Sequence, residues 1–349
     1  PVKPIDGALL LGGTDVEPFC VEQGGAIIGS TINKYAYCSI VPREDDQIIV
    51  HSLDFDMTVK YNAKENFVYD GRLDLVTAAL KAMDINQGCE VYLQCDAPAG
   101  SGLGTSSTVM VSLLTAMARW KGVEMDAYRL ADLAYQVERE DLKIDGGYQD
   151  QYAATFGGIN FIEFHGRNNV VVNPLRIKKD ILHELQYNLL LCYTGNIHVS
   201  ANIIKDQVKN YEKKDAFDAM CEVKALAYAM KDELLKGNLH SFGKLLDYGW
   251  QSMSSKITNP QIDELYDEAI KAGALGGKLL GAGGGGYLLM YCPYNVKHKV
   301  AARMEQMGGQ MADWNFELRG AQSWIADENR WDYNEVKVHL PNGDYEFKL

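Results

Sequence analysis

A glycine-rich loop that runs directly into a helical pattern, Asp96–Met110 (DAPAGSGLGTSSTVM), is the part of the sequence best suited to chemistry. Gly100, Gly102 and Gly104 let the backbone approach a ligand closely, and the first turn of the following helix supplies free N–H groups. Those donors and the helix dipole favour a bound phosphate. The hydroxyls that could add to a phosphate or magnesium site are those of Thr105, Ser106 and Ser107. Because the same glycines would suit a loop that only permits tight packing, the pattern by itself leaves both interpretations open.

Two other nucleotide-binding motifs do not fit the sequence. A Walker A loop needs Ser or Thr after its Gly-Lys pair, but Gly277 and Lys278 are followed by Leu279. The pattern G-x-G-x-x-G occurs at Gly281–Gly286, yet it leads into the strand-like YLLMY, whereas a dinucleotide fingerprint leads into a helix. Protein-kinase signatures such as H-R-D and D-F-G are absent. The loop of residues 96–110 is therefore the predicted phosphate site.

The elements around this loop predict how it is held. Segments rich in Ile, Val and Tyr predict strands within residues 26–42, 46–53 and 90–95, and residues 72–83 predict a helix. After the loop, apolar residues at helical spacing predict two helices. Gly122 is placed to end the first of these, and Asp126 is placed to cap the second. The loop would therefore lie between a strand and a helix N-terminus.

The pattern changes at Leu189, where one short strand leads into a long run of helical periodicity. Beyond Pro260 we expect a helix, a strand pair around GGKLLGAGGGGYLLMYC, another helix and the strand NFEL, which is an α+β order. Asn342-Gly343 between alternating segments predicts a type I′ hairpin. We therefore predict two domains, residues 1–188 and 189–349, with a terminal hairpin after about residue 327.

Composition narrows the class of protein. The 349 residues, 47% hydrophobic and 23% charged, are typical of a globular chain long enough for two cores. The net charge of −13 argues against nucleic acid and anionic membranes as partners, and we recognise neither a spanning segment nor a signal peptide. The seven cysteines lack C-x-x-C spacing and mostly have apolar neighbours, so we expect reduced core thiols in a cytoplasmic protein.

Three motifs, in order, resemble those of the GHMP small-molecule kinases, named for galactokinase, homoserine kinase, mevalonate kinase and phosphomevalonate kinase. PAGSGLGTSS, Pro98–Ser107, resembles the family's P-x-x-x-G-L-G-S-S phosphate loop, and KLLGAGGGGYLL, Lys278–Leu289, resembles its third glycine motif. GGTD, Gly12–Asp15, is similar to the sugar motif of the branch that phosphorylates the anomeric hydroxyl of heptose or fucose. The resemblance extends from about Gly12 to Ile325 and is closest to the heptose-phosphate members.

The resemblance implies a two-domain α+β GHMP kinase fold. The N-terminal, ATP-binding domain would be akin to a ribosomal-protein domain, the C-terminal domain would be ferredoxin-like with extra helices, and the active site would lie between them. The implied cofactors are ATP and Mg²⁺. The implied reaction phosphorylates D-glycero-D-manno-heptose 7-phosphate at its anomeric hydroxyl, which gives a 1,7-bisphosphate for nucleotide-activated heptose and glycan synthesis.

Other functions stay open at this point. A kinase for another sugar, such as L-fucose or an N-acetylhexosamine, would carry the same motifs, and so would a catalytically silent protein that binds nucleotide and sugar. In each case the expected partners are small molecules, here ATP and a sugar phosphate, and the oligomeric state is left open.

The resemblance also assigns roles to residues. Asp150 would accept the proton of the sugar hydroxyl or orient that hydroxyl, and Ser106 and Glu138 would hold magnesium. The residues implied for the phosphates of ATP are Pro98, Gly100, Ser101, Gly102, Leu103, Gly104, Thr105, Ser106 and Ser107. In plainer alternatives Asp150 caps the following segment, and Glu138 is a solvated charge with Glu140 and Asp141 as rival ligands.

The implied sugar site draws on the first and third motifs, since a carboxylate such as Asp15 accepts two hydroxyl donors in one plane. A turn role is the alternative for GGTD. The residues implied for substrate binding are Gly13, Thr14, Asp15, Gly147, Gly283 and Gly284.

The chain departs from the family in its basic residues. Where the family has a basic residue in its first strand this chain offers only Lys3, and where the family has an arginine after YTG this chain has His198. The cation that neutralises the phosphates is therefore unassigned. For the acceptor's own phosphate, Lys3, Lys34, Arg43 and Arg72 are the candidates.

Overall fold

The computed structural model describes residues 12–166, 169–195, 214–281, 284–326, 336–340 and 343–347; of residues 214–215, 253–257 and the last two ranges it describes the backbone only. The strands, in chain order, are β1 Gly25–Ser30, β2 Ala36–Pro42, β3 Gln47–Ser52, β4 Met57–Asn62, β5 Cys89–Cys95, β6 Ile159–Phe164, β7 Val170–Pro174, β8 Leu189–Tyr193, β9 Gly276–Leu279, β10 Tyr287–Tyr291, β11 Gln310–Met311, β12 Val336–Leu340 and β13 Gly343–Phe347. The helices are α1 Phe19–Glu22, α2 Asp74–Ala82, α3 Thr105–Lys121, α4 Ala127–Tyr135, α5 Gln149–Phe156, α6 Lys179–Asn188, α7 Lys214–Lys236, α8 Leu239–Ile257, α9 Pro260–Lys271 and α10 Lys297–Gln306.

The first sheet carries the predicted phosphate loop. Its order is β2-β5-β3-β4, with β3 and β5 parallel and the other pairs antiparallel. Alternate residues such as Ile48, Val50 and Val91 bury their side chains in a core shared with α2 and α3. The loop leaves β5 at Cys95 and enters α3 at Thr105. The predicted arrangement of strand, loop and helix N-terminus is confirmed.

The predicted helix ends are also confirmed. Gly122 follows α3 with φ 67°, and the Asp126 carboxylate accepts the backbone N–H of Arg129 at 2.9 Å to cap α4. The strands and the helix predicted before the loop are found. Strand β4 was not predicted, since its side chains are mostly exposed and polar at the sheet edge.

The second sheet, β1-β6-β7, is covered on both faces. Strand β1 is buried at every residue and pairs antiparallel with β6 from Gly25↔Phe164 to Ser30↔Ile159. Ile27 points into a core with residues of α4 and α5, whereas Ile28 points into a core with residues of α7 and α8. A strand buried on both faces shows no alternation of polar and apolar residues, which explains the continuous run AIIG.

The third sheet has the order β11-β8-β10-β9, and all of its pairs are antiparallel. In chain order the elements are β8, the helices α7 to α9, β9, β10, α10 and β11. This is the βαββαβ connectivity of a ferredoxin-like domain, enlarged by helices in its first crossover. The predicted α+β, two-domain fold is confirmed, and the likeness of the first domain to a ribosomal-protein domain stays a prediction.

The predicted strand NFEL is wrong. Its residues form one isolated bridge, Phe316 with Ile32, and the fourth strand of the third sheet is instead Gln310–Met311. After that strand the chain crosses to the first half, where the backbone N–H of Glu317 donates to Thr31 at 2.9 Å. Of the two apolar residues in this segment, Phe316 packs into the shared core, whereas Leu318 is exposed.

The predicted terminal hairpin is present. Strands β12 and β13 pair antiparallel from Val336↔Phe347 to Leu340↔Gly343. Gly343 therefore lies in the second strand, whereas we had predicted it in the turn, and Asn342 lies outside the described residues.

The predicted division after residue 188 stays a prediction. Strand β8 does begin at Leu189, but one hydrophobic core combines Ile28 and Phe161 from before this point with Leu226 and Phe242 from beyond it. The two halves thus share buried surface.

The cysteines fit the expectation of reduced core thiols only in part. All seven cysteines are free; Cys95 is partly buried and Cys221 is exposed, so not every thiol is a core thiol. Among the described helices, none combines the length and the apolar character needed to span a bilayer. The cytoplasmic location stays a prediction.

Candidate active site

The phosphate loop and the third glycine motif are in direct backbone contact. The backbone N–H of Tyr287 donates to Ser101 at 3.1 Å. A Cβ on Gly286 would lie 2.1 Å from the Ser101 carbonyl oxygen, and a Cβ on Gly102 would lie 2.5 Å from that of Leu280. Both glycines also have positive φ, 93° and 81°. The third motif therefore supports the phosphate loop, and Gly281, with φ 72°, faces the Cα of Gly102 in the same contact.

Side chains of the predicted phosphate residues divide into two groups. Those of Ser101, Leu103 and Ser107 are buried, so these three residues could contact a phosphate only through their backbone, and their role stays a prediction. Ser106 is exposed, and Pro98 and Gly100 are exposed beside it. The hydroxyl of Thr105 donates back to the Pro98 carbonyl at 3.3 Å. What this loop offers a phosphate is chiefly its backbone and the Ser106 hydroxyl.

Glu138 lies directly beneath Ser106. A π-helical turn, Gln136–Asp141, continues α4 and buries the Glu138 side chain completely, whereas Glu140 and Asp141 on the same turn are exposed. Such turns are frequent at functional sites. The alternative of a solvated Glu138 is excluded.

The pair of Ser106 and Glu138 has the chemistry of a magnesium site. The Ser106 hydroxyl donates to Glu138 Oε1 at 2.7 Å. Neighbouring oxygen ligands of octahedral Mg²⁺ are about 2.9 Å apart, and magnesium is usually held by one or two carboxylates together with phosphates and water. The two oxygens therefore fit adjacent positions around one ion. No cluster of three or more acidic, His or Cys side chains suited to a metal occurs among the described residues.

Asp150 is the second residue of α5, and the helix is capped at Tyr148, so Asp150 is not its cap. Its carboxylate is partly buried and has no hydrogen-bond partner within the described part of the chain. Burial, the larger cause, and repulsion from Asp15 together raise the pKa of Asp150 to about 6. Arg139 and Lys278 lower this pKa in part. An unpartnered carboxylate of raised basicity suits a general base.

The first motif packs against the segment that carries Asp150. Asp15 is buried, and its Oδ2 accepts the backbone N–H of Gln149 at 3.0 Å. A Cβ on Gly147 would lie 1.9 Å from the same oxygen, so only glycine fits there. Burial raises the pKa of Asp15. The structure thus brings together Asp15, Gly147 and Asp150, as the motifs implied.

The other predicted substrate residues differ in their surroundings. Thr14 is fully buried, and its hydroxyl donates to the Ala26 carbonyl at 2.8 Å and accepts the Ala26 N–H at 3.0 Å. Its side chain therefore anchors the motif to β1, so a contact between Thr14 and a sugar would have to involve the backbone, and its role in substrate binding stays a prediction. Gly13 borders open space, Gly284 is buried, and Gly283 lies outside the described residues.

Two cations at this site were not predicted. Arg139 donates through Nε to the Gly147 carbonyl at 3.3 Å, packs over Gly146 and lies 3.9 Å from Glu138 Oε1. Burial lowers the pKa of Lys278 to about 8, against the opposing effects of Asp15 and Asp150. Lys278 is the first residue of the third glycine motif, and Arg139 directly follows Glu138 in the chain.

The basic residues named as candidates for the acceptor's phosphate fall into three groups. Arg43 forms an ion pair with Asp45 at 2.6 Å, and Arg72 forms one with Asp70 at 2.6 Å. Lys34 lines a small cavity beside Thr105, near the phosphate loop. Lys3 and His198 lie outside the described residues.

The sequence is similar to those of known kinases. Residues 73–158 match the N-terminal domain model of the GHMP kinases, and residues 230–309 match their C-terminal model. The chain is 34% identical to D-glycero-alpha-D-manno-heptose 7-phosphate kinase of Campylobacter jejuni, over 92% of this chain and 97% of that protein. It is 27% identical to L-fucokinase/L-fucose-1-P guanylyltransferase of Bacteroides fragilis, over 80% of this chain and 33% of that protein.

Solved structures show the same similarity. A D-glycero-D-manno-heptose 1-phosphate kinase from Bacteroides thetaiotaomicron superposes with a TM-score of 0.79 at 32% identity, over 93% of this chain and 98% of that chain. A putative sugar kinase from Campylobacter jejuni superposes with a TM-score of 0.75 at 33% identity, over 93% and 97% of the two chains.

Proposed function

This chain belongs to the GHMP kinase family, and we propose that it transfers the γ-phosphoryl group of ATP to the anomeric hydroxyl of D-glycero-D-manno-heptose 7-phosphate. It is an ATP-dependent phosphotransferase with an alcohol group as acceptor, and its relatives place it among the heptose-phosphate kinases. The product would be a heptose 1,7-bisphosphate, an intermediate suited to nucleotide-activated heptose and glycan synthesis.

One observation carries the proposal: the Asp150 carboxylate is unpartnered within the described residues and is electrostatically coupled to Asp15, Glu138 and two cations. Phosphoryl transfer needs charge neutralisation, an aligned acceptor and a destination for the acceptor's proton. Asp150 would take that proton, a role worth about 10² to 10⁴ in rate.

The remaining residues divide the other two tasks. The backbone of the phosphate loop and the N-terminus of α3 would hold the phosphates, with Arg139 and Lys278 supplying the positive charge. Asp15 would orient the sugar, which requires its buried carboxylate to exchange a contact for a sugar hydroxyl. Ser106 and Glu138 would hold Mg²⁺, which when bound neutralises phosphate oxygens.

Product analysis tests the proposal. The enzyme is incubated with magnesium and ATP against D-glycero-D-manno-heptose 7-phosphate, the corresponding 1-phosphate, L-fucose, galactose, an N-acetylhexosamine and mevalonate. ADP release is measured, and the phosphorylated carbon is identified by ³¹P and ¹³C NMR. We expect strong turnover on the 7-phosphate, with the new phosphate on C1.

The panel separates the competing functions. The names of the two heptose relatives differ in the position of the phosphate. Of these two heptose phosphates, only the 7-phosphate has a free hydroxyl at C1 that can accept a phosphoryl group. Turnover on L-fucose alone would support the kinase activity and contradict heptose 7-phosphate as the acceptor. Absence of turnover on every compound would favour a binding protein.

A further inference from the structure

Gln151 lies on α5 next to Asp150, and its side chain is completely buried. Its Nε2 donates to Glu138 Oε2 at 2.6 Å and to Ser107 Oγ at 3.0 Å. An ionised carboxylate accepts hydrogen bonds and cannot donate them. The nitrogen of the Gln151 amide must therefore be the end that faces Glu138. The orientation of this amide is therefore fixed by its neighbours.

The other end of the amide has no such support. Gln151 Oε1 is buried and has no hydrogen-bond partner among the described residues. A buried carbonyl without a partner costs stability, so stability alone is a poor explanation for an amide at this position. What the amide does accomplish is a connection between the base-bearing helix, the first turn of α3 and the π-helical turn.

The two oxygens of Glu138 are held by different residues. Ser106 occupies Oε1 at 2.7 Å, and Gln151 occupies Oε2 at 2.6 Å. Since the Ser106 side is the exposed one, an ion would approach Oε1, while Oε2 keeps its contact with the amide. When one oxygen of a carboxylate is fixed by a hydrogen bond, the other oxygen points in a fixed direction.

We propose that Gln151 is a positioning residue that holds Glu138 in the orientation that binds the divalent cation. The proposal deepens the proposed function and rests on the assignment of Glu138 as a metal ligand. Partners that orient a metal ligand from behind typically change metal affinity or activity by about 10- to 100-fold when removed.

The test is cation binding measured directly. Gln151→Met keeps the length of the side chain and removes the amide. Free Mn²⁺ is quantified by electron paramagnetic resonance during titration of each variant in the presence of a non-hydrolysable ATP analogue. We expect the apparent Mn²⁺ affinity of Gln151→Met to fall about 10- to 100-fold, and its activity to recover partly at high Mg²⁺.

A matched control separates positioning from folding. Asn188 is another buried amide whose side chain donates one hydrogen bond, to Tyr291 Oη at 3.1 Å, and whose Oδ1 has no partner within the described part of the chain. Asn188→Leu should lower thermal stability without changing Mn²⁺ affinity. If Gln151→Met does not fold, Gln151→Asn keeps the polarity but shortens the reach, and the same loss of Mn²⁺ affinity is expected.

Glu138→Gln distinguishes the two proposals. Weak Mn²⁺ binding by Glu138→Gln together with normal binding by Gln151→Met would overturn the positioning role and leave the metal site intact. Normal Mn²⁺ binding by both variants would overturn the metal assignment itself, and with it the role of Gln151.

Discussion

At the scale of residues, three carboxylates and two cations are gathered in one partly buried site. Asp15, Glu138 and Asp150 would repel one another, and Arg139 and Lys278 offset that repulsion. The balance leaves Asp150 more basic than an ordinary aspartate and Lys278 less basic than an ordinary lysine. The shift of Asp150 suits a proton acceptor that works near neutral pH, whereas the lowered pKa of Lys278 means that its positive charge is lost just above neutral pH.

The first prediction concerns the pH dependence of kcat/KM. Because Asp150 must be ionised to accept a proton, kcat/KM should rise with pH through a midpoint of about 6. It should fall again through about 8, as Lys278 loses its charge. Asp150→Asn should lower the rate by about 10² to 10⁴ and abolish the acidic limb.

The control is Asp141→Asn, at an exposed carboxylate of the π-helical turn, which should keep both limbs. A profile that stays flat between pH 5 and 7 would contradict the assignment of Asp150, because protonation of the base in this range should lower kcat/KM.

The second prediction concerns Lys278. Its charge lowers the pKa of Asp150, so Lys278→Met should move the acidic midpoint upward and remove the alkaline limb. The lost neutralisation of phosphate should lower kcat on the order of 10²-fold. Rates measured across pH give both quantities, and Lys60→Met, at an exposed position of β4, should change neither. An acidic midpoint that moves down would contradict the placement of this charge.

At the scale of elements, the active site depends on two loops whose backbones touch. The phosphate loop continues from β5 in the first sheet, and the third motif connects β9 and β10 in the third sheet. The contact between Gly102 and Gly281 tolerates no side chain on either residue. Glycine at these positions is therefore required by the partner loop as well as by the positive φ of both residues.

The third prediction compares two glycines with positive φ. Gly102→Ala and Gly122→Ala both force alanine into a left-handed conformation, which costs about 1 to 2 kcal/mol. Only at Gly102 does the new Cβ meet backbone, 2.5 Å from the Leu280 carbonyl, whereas nothing lies within 4 Å at Gly122. We expect Gly102→Ala to raise the KM for ATP and Gly122→Ala to leave it unchanged, with urea denaturation reporting stability. Equal effects of the two substitutions on stability and on KM would show that the loop contact is unimportant.

At the scale of the molecule, the two halves are joined by a common core. Phe161 on β6 packs edge-on against Tyr228 of α7 with ring centroids 4.9 Å apart, and Lys231 of the same helix lies 4.6 Å from the Phe161 ring. Residues beyond the third sheet return to pair with the first half. Such mutual burial favours unfolding of the two halves as one cooperative unit.

The fourth prediction tests that cooperativity. Phe161→Ala removes an almost fully buried ring and should cost about 3 to 5 kcal/mol of unfolding free energy. Hydrogen exchange followed by mass spectrometry should show the loss in both β6 and α7, within a single thermal transition. Val171→Ala, at an exposed position of β7, should change stability by no more than about 0.5 kcal/mol. Separate melting of the two halves would contradict a common core.

The sequence by itself determined the local features of this protein. Glycine spacing, helix periodicity and capping residues depend on neighbours in the chain, which is why the phosphate loop, the end of α3 at Gly122 and the cap at Asp126 were all predictable. The ordered motifs also indicated the family, whereas the roles that they imply for Glu138 and Asp150 stay predictions. The hairpin strands were predictable for the same reason, although their register was not.

Only the tertiary structure decided which side chains face the site. The strand NFEL failed because only one of its two apolar residues, Phe316, packs against distant residues, whereas Leu318 is exposed. The hydroxyl of Thr14 is taken up by hydrogen bonds to β1, which the letters of the motif do not show. Lys278 entered the site because it lies near Asp15 and Asp150, which are remote in sequence, whereas Arg139 entered it through Gly147, eight residues along the chain. Charge, burial and hydrogen-bond satisfaction depend on what surrounds a side chain in space, and a pattern of neighbouring letters does not specify those surroundings.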